Sequence, residues 1–515
     1  MRYLHQISSD KGFVDLHNHT DRSFGEEMNK TGITPVGLLK EAAEYANKHN
    51  TTVSFSVSDH NNTRGNVEVI EEMMKNPELY KNVNFIPGCE YTVSTNSVVY
   101  EKNGVKTPII DKKVHMLAYG FDLDNPVVKY LDECMSTERK YTKKVGNAEV
   151  KNGSLIFATQ QWLSEQGKKV GIEEFSKNCP IVPDFTDTAE GIEKFLVQKF
   201  GMDSNQIKDW KAFSTNAQNL QRYAKADVQE VMSIIEKAGG YTVLAHPGLY
   251  RPHKNFDMTT TNTRNFYEHM FRALSQEAHN PVTGEKLEGI VGFELLHSSN
   301  ETNPKRFEQM MEAGNKYGLY VTAGSDSHGD LHPMAIFSRV IHTKVEEQAI
   351  QHKDDKVSHF AVVDCKFVND LKAAVKNGTH LTRDTSMNID EQMKIVKNDN
   401  GKEQIINLGD MRRIIGEMKV EETYNNGNTH NNGGYKGKGK GKGKGGHRHL
   451  ELEGEVEVTS RSREERLATL KELRAELMMM KELQAQQQKT EEKGKTLSLV
   501  RKKKVNLEKD DSMTF

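Results

Sequence analysis

The sequence has few cysteines, almost no net charge and no long apolar run. Its four cysteines are widely spaced and form no Cys-x-x-Cys pair: Cys89, Cys134, Cys179 and Cys365. This spacing argues against a disulfide framework or a cysteine-ligated zinc site, and it suits a reducing compartment. No run reaches the roughly 18 apolar residues that a membrane-spanning helix needs, and the first twelve residues lack the apolar core of a signal peptide. We therefore expect a cytoplasmic protein with no membrane partner.

The composition indicates that part of the 515-residue chain lies outside a packed core. Only 35% of the residues are hydrophobic, and the net charge of −2 predicts no partner by itself. The polar character is strongest after Asp410, where residues 424–446 are rich in Asn and Gly and then alternate Lys with Gly. Such a segment cannot bury enough apolar surface to fold. We expect residues 411–458 to form a flexible basic linker.

Two further segments follow the linker. Ser462 and Glu465 form a capping-box pattern. Apolar residues then recur every three or four positions, as Leu467, Leu470, Leu473, Leu477, Met480 and Leu483. This pattern predicts an amphipathic helix over residues 459–490, followed by a basic tail over 491–515. These apolar residues form a stripe that spans two heptads. Such a stripe fits a short coiled coil between two copies of this protein, or a helix that docks on its own domain or on a partner.

From about residue 10 to 390, short apolar runs alternate with amphipathic stretches. Runs such as VSFSV, YTVLA and LYVTAG are typical of buried strands. One helix is predicted after the capping residue Thr34, with Pro35 at its first position, and another from Asp227 to just before Gly239. This alternation predicts an α/β domain with a mainly parallel sheet. Residues 123–226 have few strand signals and many polar residues, so we expect a mostly helical insertion there.

Histidines and carboxylates stand at or near the ends of six apolar runs. They are His17 and His19, Asp59 and His60, Glu90, His115, His246, and Asp326 with His328. In barrels of parallel strands, the C-terminal edge carries the active site. Alternate residues of a strand point to the same side, so both the His-x-His and the Asp-x-His pair can reach one ion or adjacent ions. A single histidine of this kind is usually only hydrogen-bonded or on the surface. Six such ends together predict a site for divalent Zn, Mn or Fe.

These motifs resemble the polymerase and histidinol phosphatase (PHP) family of metal-dependent phosphoesterases. The resemblance is carried by DLHNHT, SDHN, GCEYTV, VHMLAYGFD, LAHPG and GSDSHG, in the family's order, over about residues 10–385. It implies a distorted seven-stranded (β/α) barrel with two or three divalent ions at its C-terminal edge. Position by position, it implies eight metal ligands: His17, His19, His60, Glu90, His115, His246, Asp326 and His328. It also implies catalytic roles for Asp59, His60, Asp326 and His328, with Asp59 handling protons or supporting a ligand rather than binding a metal directly.

One position departs from the family's pattern. Many members have an Asp ligand where Phe24 stands here, and a phenylalanine cannot coordinate a metal. Asp21 and Glu26 are the nearby carboxylates that could substitute. The number of ions is therefore open between two and three.

The resemblance implies hydrolysis of phosphate esters by a metal-bound hydroxide. No GxSxG or Walker A pattern suggests a side-chain nucleophile or a P-loop. We expect a nucleotide or a related small phosphate as substrate. Four residues close in sequence to the ligand motifs are candidates for holding its phosphate: Arg22, Arg64, Arg251 and His253.

Three alternatives stay open at this point. The first is an exonuclease that acts on DNA or RNA ends and uses the Lys-Gly linker to bind phosphate backbones. The second is a catalytically weakened domain that serves as a binding module, with the C-terminal helix as its interaction element. The third, an amidohydrolase barrel, also begins with His-x-His. It requires neither a glutamate like Glu90 nor a closing Asp-x-His, which makes it the weakest of the three.

Overall fold

The computed structural model describes residues 12–23, 33–111, 113–258, 263–297, 304–327, 358–399 and 402–413. The chain divides between residues 431 and 432, and every described residue belongs to the first part. Residues 414–458 of the predicted linker, the amphipathic helix and the basic tail lie outside the described residues. So do Phe24, Glu26 and His328. The first three residues of the predicted linker, 411–413, are described as helical, and Met411 is buried.

Helices and strands alternate along much of the described chain. The helices are α1 (Pro35–His49), α2 (Arg64–Lys75), α3 (Pro126–Met135), α4 (Ser154–Glu165), α5 (Ile172–Asn178), α6 (Phe185–Phe200), α7 (Ser204–Ser214), α8 (Ala217–Arg222), α9 (Val228–Lys237), α10 (Phe266–Ser275), α11 (Pro304–Lys316) and α12 (Lys366–Asn377). The strands are β1 (Gly12–Asp15), β2 (Thr52–Phe55), β3 (Val83–Phe85), β4 (Gly88–Ser94), β5 (Val99–Lys102), β6 (Val105–Pro108), β7 (Lys113–Tyr119), β8 (Thr142–Val145), β9 (Ala148–Lys151), β10 (Tyr241–Leu244), β11 (Ile290–Leu296), β12 (Tyr320–Ala323), β13 (Ser358–Cys365), β14 (Met393–Asp399) and β15 (Lys402–Asn407).

Two sheets carry the candidate site residues. One is parallel, in the order β1-β2-β3, and the other has the order β12-β11-β10-β7-β4. In the second sheet β10, β11 and β12 run parallel to one another, whereas β7 runs antiparallel to both β10 and β4. Strands β2, β10, β11 and β12 are buried along their whole length. The remaining strands form the antiparallel sheet β13-β14-β15 and the hairpins β5-β6 and β8-β9.

The predicted α/β class is present, but the predicted seven-stranded barrel is not shown. The central strands of the described part fall into two separate sheets. Backbone hydrogen bonds nevertheless connect these sheets at the site. Leu16 N donates to Ala323 O at 3.1 Å, next to β1 and β12, and Glu90 N donates to Asp59 O at 3.2 Å. The end of β1 therefore lies beside the end of β12, and the segment after β2 lies beside the start of β4.

Two expectations about strand direction are wrong. His115 was expected at the C-terminal end of a parallel strand, but it is the third residue of the antiparallel strand β7. Glu90 was expected at or near the end of an apolar run, but it is the third residue of β4, which Ile86 and Pro87 separate from β3. An antiparallel strand presents the residues near its start to the edge where its neighbours end. This is why His115 still reaches the common edge.

The two helix starts read from the sequence are confirmed. Helix α1 begins at Pro35, and the Thr34 hydroxyl accepts a hydrogen bond from Gly37 N at 2.9 Å. Helix α9 begins after Asp227, whose carboxylate accepts from Gln229 N, and it ends at Lys237, before Gly239. Thr34 and Asp227 are therefore N-cap residues. Their side chains accept hydrogen bonds from backbone N–H groups that have no partner within the first turn of the helix.

Residues 123–226 contain helices α3 to α8 and the hairpin β8-β9. That this interval is an insertion relative to a family core stays a prediction. Among the described helices, none is both long and apolar enough to cross a membrane.

Candidate metal centre

The His-x-His pair is fixed against the segment that follows β12. Asp326 N donates to His17 O at 2.9 Å, and His19 N donates to Ser327 O at 2.9 Å. These bonds continue the parallel pairing beyond the ends of β1 and β12, with a bridge between Asn18 and Ser327. Residues more than 300 positions apart in the sequence are thereby held side by side.

Four side chains from three chain segments form a first group of candidate ligands: His17, His19, Glu90 and Asp326. Five distances between their ligand atoms lie between 3.0 and 3.4 Å. They are His17 Nε2 to His19 Nε2, 3.1 Å; His17 Nε2 to Glu90 Oε2, 3.4 Å; His17 Nε2 to Asp326 Oδ1, 3.4 Å; His19 Nε2 to Glu90 Oε2, 3.3 Å; and His19 Nε2 to Asp326 Oδ1, 3.0 Å.

These distances match the separations between ligand atoms around a tetrahedrally coordinated metal ion. Four ligands at 2.0–2.1 Å from a tetrahedral ion are separated by about 3.3 Å, and five of the six edges of such a tetrahedron are within 0.3 Å of that value. Glu90 Oε2 is buried among the imidazole nitrogens of His17, His19 and His60. Two imidazoles and two carboxylates are also a donor set that divalent ions accept. The residues present therefore fit a divalent cation.

Glu90 also belongs to a second group, with His60 and His115. His60 Nδ1 lies 2.8 Å from Glu90 Oε2, and His115 Nδ1 lies 2.8 Å from Glu90 Oε1. His246 Nε2 lies 3.1 Å from the same Oε1. One carboxylate thus has both oxygens among imidazoles, as expected for a side chain that bridges two ions.

The cluster is buried on one side and accessible on the other. Glu90, His17 and His19 are almost completely buried. The side chains of Asp326, His115 and His60 are 24%, 22% and 15% exposed. A substrate can therefore approach from the side of these three residues.

The electrostatics of the cluster keep its central carboxylate ionised. Burial acts to raise the pKa of Glu90, but the surrounding imidazoles of His115, His60 and His17 hold it well below its ordinary value. Burial acts to lower the pKa of His19, yet hydrogen bonds and charge from Asp326 and Glu90 raise it to about 9. The pKa of His60 falls to about 4, chiefly because of burial. Buried carboxylates in such numbers favour a cation among them.

The ring nitrogens that face away from the cluster are fixed by hydrogen bonds. His17 Nδ1 lies 3.0 Å from Glu294 Oε1, and His19 Nδ1 lies 3.3 Å from Ser23 Oγ. Each imidazole therefore uses Nδ1 as an anchor and directs Nε2 into the first group. Partners of this kind set the tautomer and orientation of metal-binding histidines.

Sequence analysis missed Glu294 and His297. Glu294 Oε1 supports His17, and its Oε2 accepts from the backbone N of His246 at 2.9 Å. His297 Nε2 lies 3.4 Å from Asp326 Oδ2. Glu294 lies inside the apolar run IVGFELL, and His297 directly follows it. A search for histidines and carboxylates at or near the ends of apolar runs, as applied to the other six runs, would have identified them.

Two site residues adopt left-handed backbone conformations. His246 has φ 27° and Asp326 has φ 52°. This region is unfavourable for residues other than glycine and tends to be retained at functional sites, where the surrounding structure enforces it. His246 lies two residues after the end of the buried strand β10, and Asp326 lies three residues after the end of the buried strand β12. Both side chains contact residues of the cluster.

The carboxylate of Asp59 is engaged outside the cluster. Its two oxygens accept from Thr20 N at 2.6 Å and from the Thr20 hydroxyl at 2.8 Å. Burial raises its pKa to about 6, against the effect of these hydrogen bonds. Asp59 thus holds the segment that carries His19. Its expected part in proton transfer stays a prediction.

The four candidate phosphate-holding residues have other partners. Arg22 makes two hydrogen bonds to Glu68, and Arg64 forms an ion pair with Glu138. Arg251 donates to the carbonyls of Gly248 and Tyr250, and His253 Nδ1 accepts from Asn255 N. None of these contacts joins one of the four residues to a ligand of either group, and their role in substrate binding stays a prediction.

The chain is similar in structure to two solved proteins. One is an amidohydrolase from Chromobacterium violaceum with bound sulfate and no metal: 20% identity, 61% of this chain and 87% of that chain covered, TM-score 0.31. The other is a protein from Bifidobacterium adolescentis classed as a metal-dependent phosphoesterase: 21% identity, 62% and 89% covered, TM-score 0.30. At these TM-scores the likeness assigns neither a fold nor an activity to the chain. The sequence matches no family model and no curated protein.

Proposed function

We propose that this protein is a metal-dependent hydrolase that cleaves phosphate esters of nucleotides or of related small molecules. The observation that carries the proposal is the set of five ligand-atom distances of 3.0–3.4 Å among His17, His19, Glu90 and Asp326. The choice of phosphate esters rests on the sequence motifs that resemble the PHP family. Among those motifs, Glu90 distinguishes this chain from an amidohydrolase barrel, and it is the residue that both groups share.

The described residues would hold two divalent ions. The first would be bound by His17, His19, Glu90 and Asp326, and the second by His60, Glu90 and His115, with His246 beside Glu90. Manganese, zinc and iron all suit imidazole and carboxylate ligands. A third ion and a ligand role for His328 stay predictions, because His328 lies outside the described residues.

The chain's own residues prepare the site for this chemistry. When bound, divalent ions supply Lewis acidity toward phosphate oxygens and lower the pKa of water. Glu90 remains ionised because of the imidazoles around it. Glu294 and Ser23 fix the two rings of the His-x-His pair. The partly exposed side, formed by His60, His115 and Asp326, gives a phosphate group access to the cluster.

The test is hydrolysis by the full-length protein loaded with manganese. Two substrates are compared, p-nitrophenyl phosphate and 5′-labelled single-stranded DNA. Asp326→Ala removes a ligand of the first group. The matched control is Asp124→Ala, because the side chain of Asp124 is 80% exposed and pairs only with Lys129 among the described residues.

Release of p-nitrophenol that Asp326→Ala abolishes and Asp124→Ala preserves would support the proposal. A ladder of shortened DNA with the same dependence would instead favour the exonuclease alternative. The lysines at 436, 438, 440, 442 and 444 would then become candidates for binding the nucleic acid. If wild type and Asp326→Ala both leave both substrates intact, the binding-module alternative is favoured.

A further inference from the structure

Helix α3, the first helix of the interval 123–226, carries the partly buried carboxylate of Asp132, which contacts residues next to two candidate metal ligands. Asp132 Oδ2 accepts hydrogen bonds from Thr63 N at 3.1 Å and from the Thr63 hydroxyl at 2.8 Å. Its Oδ1 accepts from the Tyr91 hydroxyl at 2.7 Å. One side chain of α3 therefore makes three hydrogen bonds to two other segments.

Both partners adjoin ligands of the second group. Tyr91 directly follows Glu90 in β4, and Thr63 ends the turn that begins at His60. The turn and the strand are also paired through their backbones, because Asn61 N donates to Glu90 O at 2.9 Å. Asp132 thus fastens the turn that carries His60 to the strand that carries Glu90.

An ion pair also links the interval 123–226 to the region that follows His60. Arg64, the first residue of α2, forms an ion pair with Glu138, which lies three residues beyond the end of α3. The N-terminus of α2 is therefore held by two carboxylates from the interval 123–226. The first ligand group has a support of its own in Glu294, which fixes His17. Ser23 contacts both groups, because its hydroxyl lies 3.3 Å from His19 Nδ1 and accepts from His60 N at 2.9 Å.

We infer that Asp132 is a positioning residue that sets the separation of His60 and Glu90. Through it, the interval 123–226 controls how tightly the second group, His60, Glu90 and His115, binds a divalent ion. The geometry requires this coupling because a displacement of α3 would move Thr63 and Tyr91 together. The inference rests on the proposed function only in that the second group binds a metal. It assigns to the interval a role in metal affinity that its position outside the ligand motifs does not suggest.

The test is a calorimetric titration of the metal-free full-length protein with Mn²⁺. Asp132→Asn keeps the shape of the side chain but replaces one acceptor oxygen with an amide NH₂ group, which would face the hydrogen-bond donors of Thr63 or Tyr91. We expect it to weaken the class of Mn²⁺ site formed by the second group by about 10- to 100-fold, as the loss of a residue that orients a ligand usually does. The other class should weaken much less, because it shares only Glu90 with the second group. His115→Ala should abolish the class formed by the second group and so identify it. Glu294→Gln should weaken the other class.

Two milder variants distinguish a specific loss of metal affinity from a general loss of stability. Tyr91→Phe and Thr63→Val each delete one hydrogen bond to Asp132 with little change of shape, and each should weaken the same class of site by a smaller factor. The unfolding midpoint of each metal-free variant is measured alongside. A merely structural role would lower this midpoint and weaken both classes together.

Three results would overturn the inference. Unchanged affinity in Asp132→Asn would show that Asp132 positions nothing of consequence. Equal losses in both classes would show a structural role. A wild-type protein that binds no Mn²⁺ would overturn the proposed function and, with it, this inference. This last failure is distinguishable because it appears without any substitution.

Discussion

At the scale of single residues, Glu90 is the side chain on which both ligand groups depend. Its Oε2 lies 2.8–3.4 Å from three imidazole nitrogens, and its Oε1 lies within 3.1 Å of two more. Glu90→Gln removes the charge while keeping the shape. We expect this variant to lose at least about 100-fold in affinity for Mn²⁺ at both classes of site, as measured by calorimetry.

The matched control for this substitution is Glu78→Gln, since the side chain of Glu78 is 92% exposed. It should bind Mn²⁺ as wild type does. If Glu90→Gln binds two ions with wild-type affinity, Glu90 does not bridge them and the two-group description of the site is wrong.

Gly324, in the GSDSHG motif, is the glycine that most closely limits the first group. A Cβ at this position would lie 2.2 Å from His17 Cβ and 2.3 Å from Glu294 Oε1. We expect Gly324→Ala to destabilise the protein by about 1–3 kcal/mol, because neither neighbour can move without displacing the His-x-His pair. Urea denaturation measures this change, and the calorimetric titration should show weaker Mn²⁺ binding in the first class.

The same substitution should have the opposite effect at Gly191, inside helix α6. Apart from its chain neighbours and the backbone of its own helix, no described atom lies within 4 Å of a Cβ added there. Because alanine favours a helix interior over glycine by about 0.5–1 kcal/mol, Gly191→Ala should stabilise the protein slightly. Equal effects at the two positions would contradict the tight packing inferred around His17.

The sequence could predict which side chains would converge, but not how they would be supported. His17, His19, Glu90 and Asp326 were identified because metal-ligating residue types follow apolar runs. Glu294 and His297 lie within and directly after the apolar run IVGFELL, which is not part of any of the six motifs, and sequence analysis missed them. The anchoring contacts of Ser23 and Asp132 depend on long-range packing, which one sequence does not reveal.

At the scale of elements, Glu230 connects helix α9 to the start of α5. Its carboxylate accepts from Ile172 N at 2.5 Å and from the Gln160 amide at 3.1 Å. Burial raises its pKa from 4.5 to about 7, although these hydrogen bonds oppose the shift. A carboxyl group with a raised pKa in the folded state holds its proton more tightly there than in the unfolded chain. Its contribution to stability is therefore full below pH 4.5 and is lost as pH rises toward 7.

The Glu230→Gln variant should remove this pH dependence. We expect the free energy of unfolding of wild type, relative to the variant, to fall by on the order of 3 kcal/mol between pH 4.5 and 7. Urea denaturation at several pH values measures the difference. A difference that is constant over this range, or that grows with pH, would contradict the raised pKa.

Helix starts were easier to predict than strand directions. The capping residues Thr34 and Asp227 act through hydrogen bonds within one turn, so local sequence determines them. The antiparallel direction of β7 and the start of β4 after Pro87 depend on which strands are neighbours in the sheet. That is a long-range property that apolar periodicity does not encode.

At the scale of the whole molecule, the candidate ligands connect distant parts of the described chain. They follow or belong to β1, β2, β4, β7, β10 and β12. An ion that binds the folded chain but not the unfolded one stabilises it by about 2.7 kcal/mol at a concentration one hundred times its Kd. We therefore expect the unfolding midpoint to fall by a few degrees when EDTA is added. In Glu90→Gln, EDTA should have almost no effect, and an equal fall in both proteins would contradict this expectation.

The most direct test of the central claim is the rate of p-nitrophenyl phosphate hydrolysis as a function of Mn²⁺ concentration, for wild type and Glu90→Gln. The account predicts a rate that rises and saturates as the two sites of the wild type fill, and a rate at least about 100-fold lower in the variant under the same conditions. Equal rates in the two proteins, or tight Mn²⁺ binding by the wild type without any hydrolysis, would contradict the claim that this cluster is the centre of a phosphoesterase.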